Sequence, residues 1–277
     1  PMSDPKDGQD SVEPSAFKPG SDTPFIVGLG ILGGSYAIII LAMIAADLAY
    51  VDPDSMLGAL RSPEIHYSIV LSLLSCTLST ILSLWVAIPL GYLTSRFNFP
   101  GKRFLDTVLD IPIVLPPLVI GISLLALFNF APFSWTSEWV VFEIPAVILA
   151  QFMVACAFAT RAMRISFDQI PERYEKVALT LGCNRAKAFW LVVMPQAKLG
   201  IVAAGTLAWA RALGEFGPIL VFAGSTRMRT EVLPTSVYLE IQAGNLKGAL
   251  AVSLIMIVAA AAVLATSRIM GMKRMEP

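Results

Sequence analysis

Long apolar runs separated by short polar stretches set the frame of this chain. The runs cover residues 25–50, 67–94, 105–130, 140–161, 199–223 and 248–270. An α-helix rises about 1.5 Å per residue, and about 20 apolar residues cross the hydrocarbon core of a bilayer. The pattern therefore predicts an all-α membrane protein of about six transmembrane helices. Between the first two runs, residues 51–66 hold Asp52, Pro53, Asp54 and Pro63 and read as a loop that includes His66. Residues 134–138 form a second short loop, and Val237, Tyr238 and Ile241 in the stretch 224–247 mark a short helix at the surface or tucked into the bundle.

Two of the runs carry polar or helix-breaking positions. In the second, Ser72, Ser75, Ser79 and Ser83 form a stripe on one face. Small residues let helices approach closely in lipid, and a hydroxyl lining for an anion path is the other reading. The third is interrupted by Pro112, Pro116, Pro117 and Gly121. Proline removes a backbone hydrogen bond and kinks a helix, and broken helices in membranes also border transport paths. Lys102, Asp106 and Asp110 follow at one-turn spacing, which suits an ion pair at the end of this span.

The longest polar interruption, residues 171–195, keeps a helical beat of its own. Tyr174, Val177, Ala178 and Leu181 share one face, and Ala186, Phe189, Trp190 and Val193 share another. Pro171 suits the first turn, Gly182 ends the first helix, Asn184 caps the second and Pro195 stops it. The segment reads as an amphipathic helix–turn–helix between the fourth and fifth spans. It is shaped either to be gripped by a soluble partner or to lie on the membrane surface.

Composition agrees with the membrane reading: 56% of residues are hydrophobic and 14% charged, with a mean hydropathy of +0.72. A net charge of +0 argues against nucleic acid as a partner. Three cysteines make no disulfide framework, and a single histidine makes no metal centre. Residues 1–23, with five acidic positions among Pro and Ser, read as a disordered tail without the features of a secretory signal. Residues 24–66 are the first span and its external loop, 67–270 the core, and 271–277 a second tail. Arg96, Lys102, Arg103, Arg161, Arg164, Arg173, Lys176, Arg185, Lys187, Lys198, Arg268, Lys273 and Arg274 fall on one side. The other side holds Arg61, Arg227, Arg229 and Lys247. The positive-inside rule then places both termini and the 171–195 segment in the cytoplasm.

One charged pair stands inside the fifth run. Arg211 and Glu215 are one helical turn apart, flanked by Gly214 and Gly217. Charges at membrane depth are expensive and are usually paired. The pair is either a structural lock or part of a translocation path.

The 171–195 segment resembles the cytoplasmic coupling loop of ABC importer membrane subunits. That motif reads Glu-Ala-Ala, three residues, Gly, then an apolar stretch ending in Pro. The matching positions are Lys176-Val177-Ala178, Gly182 and Pro195, with Lys176 and Val177 departing from the motif and Glu175 standing one place early. The run WARALGEFGPILVFAG at 209–224 resembles the fifth-span signature of the molybdate, tungstate and sulfate branch of these importers. Residues 96–121 and 230–255 extend the similarity, most closely to molybdate-type permeases, so that it covers about 67–270.

The resemblance implies a type I ABC importer permease fold. It implies Tyr174, Glu175, Ala178, Gly182, Phe189 and Pro195 as ATPase-coupling residues. Arg211, Glu215, Pro116 and Pro117 would form the translocation pathway or an intramembrane ion pair. The implied partners are a second permease subunit in a homodimer, ABC ATPase subunits, an extracytoplasmic oxyanion-binding protein and membrane lipid. No G-x-x-x-x-G-K-[ST] loop is present, so ATP and Mg belong on the partner ATPase, and this chain needs no cofactor and catalyses nothing itself. Molybdate or tungstate is the implied cargo, with sulfate or thiosulfate as the alternative. A secondary transporter would carry ionisable residues in several spans or an internal repeat, and a purely structural membrane protein would leave the coupling segment without a purpose.

Overall fold

The computed structural model describes residues 22–272, so residues 1–21 of the expected N-terminal tail, and Lys273 and Arg274 of the C-terminal one, lie outside the described residues. The chain divides into two compact units, the first ending at Ala46 and the second beginning at Asp47. Most of the first unit that is described belongs to α1 (Thr23–Tyr50), an apolar helix with no buried residue. All the elements below belong to the second unit.

The stretch expected as a loop is largely helical. Pro53 opens α2 (Pro53–Arg61), and Pro63 opens α3 (Pro63–Arg96), whose N-cap Ser62 accepts a hydrogen bond from the Ile65 N–H. Both prolines sit where a helix has no N–H to satisfy, which is why they start helices instead of breaking them. His66 is accordingly in the first turns of α3, with Nδ1 3.4 Å from the Ser62 carbonyl.

The core is built on α3 and α7 (Ile144–Asp168). Lipid tails are as apolar as the side chains, so helices associate there through close fit. The sequence supplies that fit with small residues: Ala150, Ala155 and Ala159 of α7 are fully buried. A Cβ on Gly91 of α3 would lie 2.8 Å from the Met163 Cβ, closer than packed atoms stand. All four serines of the stripe are buried in helix seams. Ser79 Oγ donates to the Ile148 carbonyl (2.9 Å), and Ser72 Oγ accepts from the Leu233 N–H (2.8 Å). The stripe is thus packing; it does not line a channel.

The third apolar run is not one kinked helix. It forms α4 (Lys102–Val114) and α5 (Pro117–Leu127), which meet at 114°. A proline disfavours the helical conformation in the residue before it, and ahead of Pro116 and Pro117 the residues Leu115 and Pro116 are extended, with ψ 138° and 134°. The expected Lys102–Asp106 pair is also absent. Asp106 pairs with Arg164 of α7 at 2.9 Å, and Lys102 Nζ points back to Asn98.

After α5, a 3₁₀ turn and α6 (Ser137–Val140) lead into α7, which begins and ends several residues later than the expected fourth span. Two short helices follow, α8 (Glu172–Thr180) and α9 (Arg185–Ala188), then a π-helical turn (Phe189–Val193) and α10 (Met194–Gln196). The fifth span is again broken, into α11 (Lys198–Leu213) and α12 (Gly217–Phe222). The tucked helix is α13 (Leu233–Gln242), with Leu233, Thr235 and Ser236 buried, and α14 (Leu246–Met272) closes the described chain. Four described helices are long and apolar enough to cross a membrane, or up to six if each bent pair counts as one span.

Candidate functional site: a chamber between broken helices and the 171–195 segment

The two broken spans break at the same place. Gly214 ends α11, residues 214–216 are unwound, and Pro218 restarts the chain as α12. The facing break is the Leu115–Pro116 bend before α5. At the crossing, a Cβ on Gly217 would lie 3.1 Å from the Leu118 nitrogen, and one on Gly121 2.9 Å from the Pro218 Cα. Only glycine admits two backbones that close. Between the breaks lies a chamber of about 360 Å³, open along much of its outer side and bordered by Pro116, Pro117, Leu118, Arg211, Glu215 and Phe216.

Arg211 and Glu215 are paired there, Nη1 to Oε1 at 2.5 Å. The two ends differ in exposure: the Glu215 side chain is 1% exposed and that of Arg211 29%. Despite the short contact, neither Glu215 oxygen receives an aligned hydrogen bond among the described residues. The carboxylate is held by the charge of Arg211 more than by directional bonding. The guanidinium also lies 5.6 Å over the Phe158 ring, a favourable cation–π placement. Pro116, Pro117, Arg211 and Glu215 are therefore brought together in one place, as a buried anion beside a partly open cation.

The 171–195 segment is assembled from local rules. Gly182 has φ +91°, its N–H donates to the Leu179 carbonyl, and that of Cys183 donates to Ala178. This is the Schellman ending of a helix, which needs a left-handed residue at that position. Asn184 then caps α9 by accepting from the Lys187 N–H at 2.8 Å. Pro195 does not stop the helix where expected. It has no N–H to return to Leu191, the turn before it widens to π geometry, and the break comes at Ala197, where the axis turns 71° into α11.

Val177, Leu181, Trp190 and Leu191 are exposed, Leu181 at 81%, and Tyr174 is partly so. Ala178 faces inward and Phe189 packs on Tyr92 with ring centroids 4.6 Å apart. Glu175 also faces inward. Its Oε1 accepts from the Tyr92 hydroxyl at 2.6 Å, and its Oε2 lies 3.7 Å from Arg96 Nε, both near the end of α3.

Sequence reasoning did not single out Tyr92 as a partner of Glu175, nor Glu231. Glu231 is buried at 1% exposure near the far end of α3, with Oε1 beside Ser236 Oγ and Oε2 without a hydrogen bond among the described residues. The Tyr92–Glu175 contact has no local signal because it joins residues far apart in the chain, and the burial of Glu231 is not marked by its neighbours in sequence. Among the described residues no cluster of His, Cys, Asp and Glu could hold a metal ion.

Residues 87–273 match the family described as binding-protein-dependent transport system inner membrane component. The molybdate/tungstate transport system permease protein of Thermococcus kodakarensis is 33% identical over 190 residues, covering 66% of this chain and 74% of that protein. The sulfate transport system permease protein of Escherichia coli K12 is 26% identical over 224 residues, 79% of this chain and 81% of its own. Among solved structures, a chain of a bacterial alginate ABC transporter, crystallised with its alginate-pentasaccharide-bound periplasmic protein, is similar in fold. It matches with a TM-score of 0.74 at 15% identity, over 92% of this chain and 96% of that one.

Proposed function

Since this chain belongs to the family of binding-protein-dependent transport system inner membrane components, we propose that it carries a tetrahedral oxyanion through the chamber at its broken helices. The chain is a membrane permease subunit of an ABC importer, and ATP hydrolysis is the work of a separate ATPase chain. ATPase subunits and a binding protein are its partners. The cargo is molybdate or tungstate, a reading supported by the 33% identity to a permease of that name. Sulfate is the second reading, supported by the more distant sulfate permease.

The observation that carries the oxyanion reading is the partly open Arg211 in the chamber, paired with a buried Glu215. The first turn of α5 borders the same space, and the N-terminus of a helix favours negative charge. An anion arriving at Arg211 competes with Glu215 for the guanidinium, so it is held briefly rather than trapped. Two copies of the chain form one pathway, and each offers its docking segment to an ATPase subunit. Val177, Leu181 and Trp190 supply the apolar contact, Ala178 and Phe189 pack behind it, and Gly182 and Pro195 set the turns that present it. ATP and Mg sit on the ATPase, and this chain takes no cofactor.

The pair gives the test. Removing one partner strands a charge and costs on the order of several kcal/mol, so Arg211→Gln and Glu215→Gln each lower the yield of assembled complex. The double variant restores assembly but not uptake of labelled molybdate into vesicles holding the complex and its binding protein. Normal uptake by the double variant would reduce the pair to a structural lock and remove the oxyanion reading of the chamber.

A further inference from the structure

The docking segment does not rest on α3 through apolar packing alone. Four ties converge on the last turns of that helix. From α8, Glu175 reaches inward to the Tyr92 hydroxyl at 2.6 Å and to Arg96 at 3.7 Å, with both charged side chains nearly buried. Arg96 donates in turn to the Ile170 carbonyl at 2.6 Å, just ahead of α8. From α9, the Arg185 guanidinium lies 5.1 Å over the Phe97 ring, which immediately follows α3. Around these, Tyr92 packs edge-on against Phe167 (5.6 Å) and tilted against Phe189 (4.6 Å).

These contacts differ from the rest of the segment's surroundings in kind. Apolar side chains slide over one another with little change in energy, whereas a charge-assisted hydrogen bond has a fixed length and direction. Burial sharpens the difference, because a nearly buried carboxylate that loses its partners is left desolvated and unpaired. A displacement of α8 is therefore passed to α3 along Glu175 instead of being absorbed.

We propose that Glu175 is a strut that transmits movement of the docking segment to the spanning helix α3 through Tyr92 and Arg96. It is a positioning residue: it touches neither nucleotide nor cargo, and it acts through α3, the helix packed most closely on α7. The assignment rests on residues 171–195 being where the ATPase docks, and Leu181, which faces outward from the same helix pair, tests that premise separately.

The experiment uses the complete importer, purified with its ATPase and reconstituted in vesicles with its binding protein. Tyr92→Phe deletes one hydroxyl and leaves the aromatic packing intact, so loss of folding does not confound it. Glu175→Gln retains an oxygen that can accept from Tyr92 but loses the charge. The expected result is a split. Both variants bind the ATPase and hydrolyse ATP at close to the normal rate. Molybdate taken up per ATP hydrolysed falls on the order of tenfold for Tyr92→Phe, the worth of one hydrogen bond to a charged group. Tyr92→Phe/Glu175→Gln is no worse than the more damaging single variant, because both interrupt one connection. Unchanged uptake per ATP in Tyr92→Phe would overturn the strut. So would loss of the ATPase from either variant, which would make Glu175 part of the docking surface or the fold. Leu181→Asp is expected to release the ATPase. If it does not, the docking premise falls, and the Tyr92 and Glu175 ratios still decide whether the strut couples hydrolysis to uptake.

Discussion

A serine hydroxyl has one hydrogen to give, and Ser236 stands where two are needed. Its Oγ lies 2.8 Å from Ser68 Oγ and 2.8 Å from Glu231 Oε1, while Ser68 Oγ donates to the Glu64 carbonyl at 2.9 Å. Two serine hydrogens cannot fill three contacts at once, and a protonated Glu231 would supply the third. Burial pushes the Glu231 carboxyl above its ordinary range, with Ser236 and Arg227 opposing the rise and Glu240 and Glu64 adding to it. The folded chain then holds a proton that the unfolded chain releases at the ordinary carboxylate value. Stability at this seam is full below that value and falls as pH rises toward the raised one. Glu231→Gln keeps a neutral donor in place and is expected to flatten the dependence. Melting of the detergent-purified protein across mildly acidic to neutral pH checks it, with a difference on the order of a few degrees. Parallel melting curves for wild type and variant would exclude a buried proton. Nothing around Glu231 in the sequence distinguishes it from a surface carboxylate, and only the contacts with α3 and α13 reveal its state.

At the scale of elements, what could be read from the sequence was whatever local chemistry decides. The α8–α9 turn was legible because Gly182 and Asn184 act through their own backbone neighbours. The proline breaks were legible as breaks, but not the 114° between α4 and α5. Proline says that a helix cannot continue, and the direction it takes next is set by what it packs against, here α12. The inward turn of Glu175 was not legible for the same reason, since it follows from Tyr92, far away in sequence. Two glycines make the distinction testable. Alanine is the better helix former by about 1 kcal/mol, so Gly121→Ala should stabilise α5 if the helix were free. With Pro218 Cα 2.9 Å from the new methyl carbon, it is expected to disrupt the crossing and reduce assembled protein. Gly182→Ala meets nothing within 4 Å and fails for another reason, a left-handed backbone at φ +91° that costs about 1–2 kcal/mol. Thermal stability of the two purified variants separates them. A stabilised Gly121→Ala protein would mean that the backbones do not cross this closely.

For the whole molecule, the charge bias fixes an expected orientation. Residues 171–195 lie on the basic side and Arg227 on the other, so a membrane-impermeant thiol reagent applied to intact cells is expected to miss Cys183 and to label a cysteine placed at Arg227. Labelling in the reverse pattern would turn the molecule over in the membrane. The crossing of α5 and α12 bears on how such a molecule can move. Neither backbone can slide past the other, because at Gly121 and Gly217 no room remains between them. Any motion that widens the chamber must carry both half-helices together, as a single wedge. Among the described residues, the unwound joints that lead into that wedge are the bend at Leu115 and Pro116 and the residues 214–216. Arg211 sits on the fixed side of the second joint and Glu215 within it, so each swing of the wedge stretches or relaxes the ion pair. On the proposed reading of the chamber, the pair is then a gauge of the wedge's angle: a guanidinium freed for an incoming anion and a half-helix swung aside would be one event.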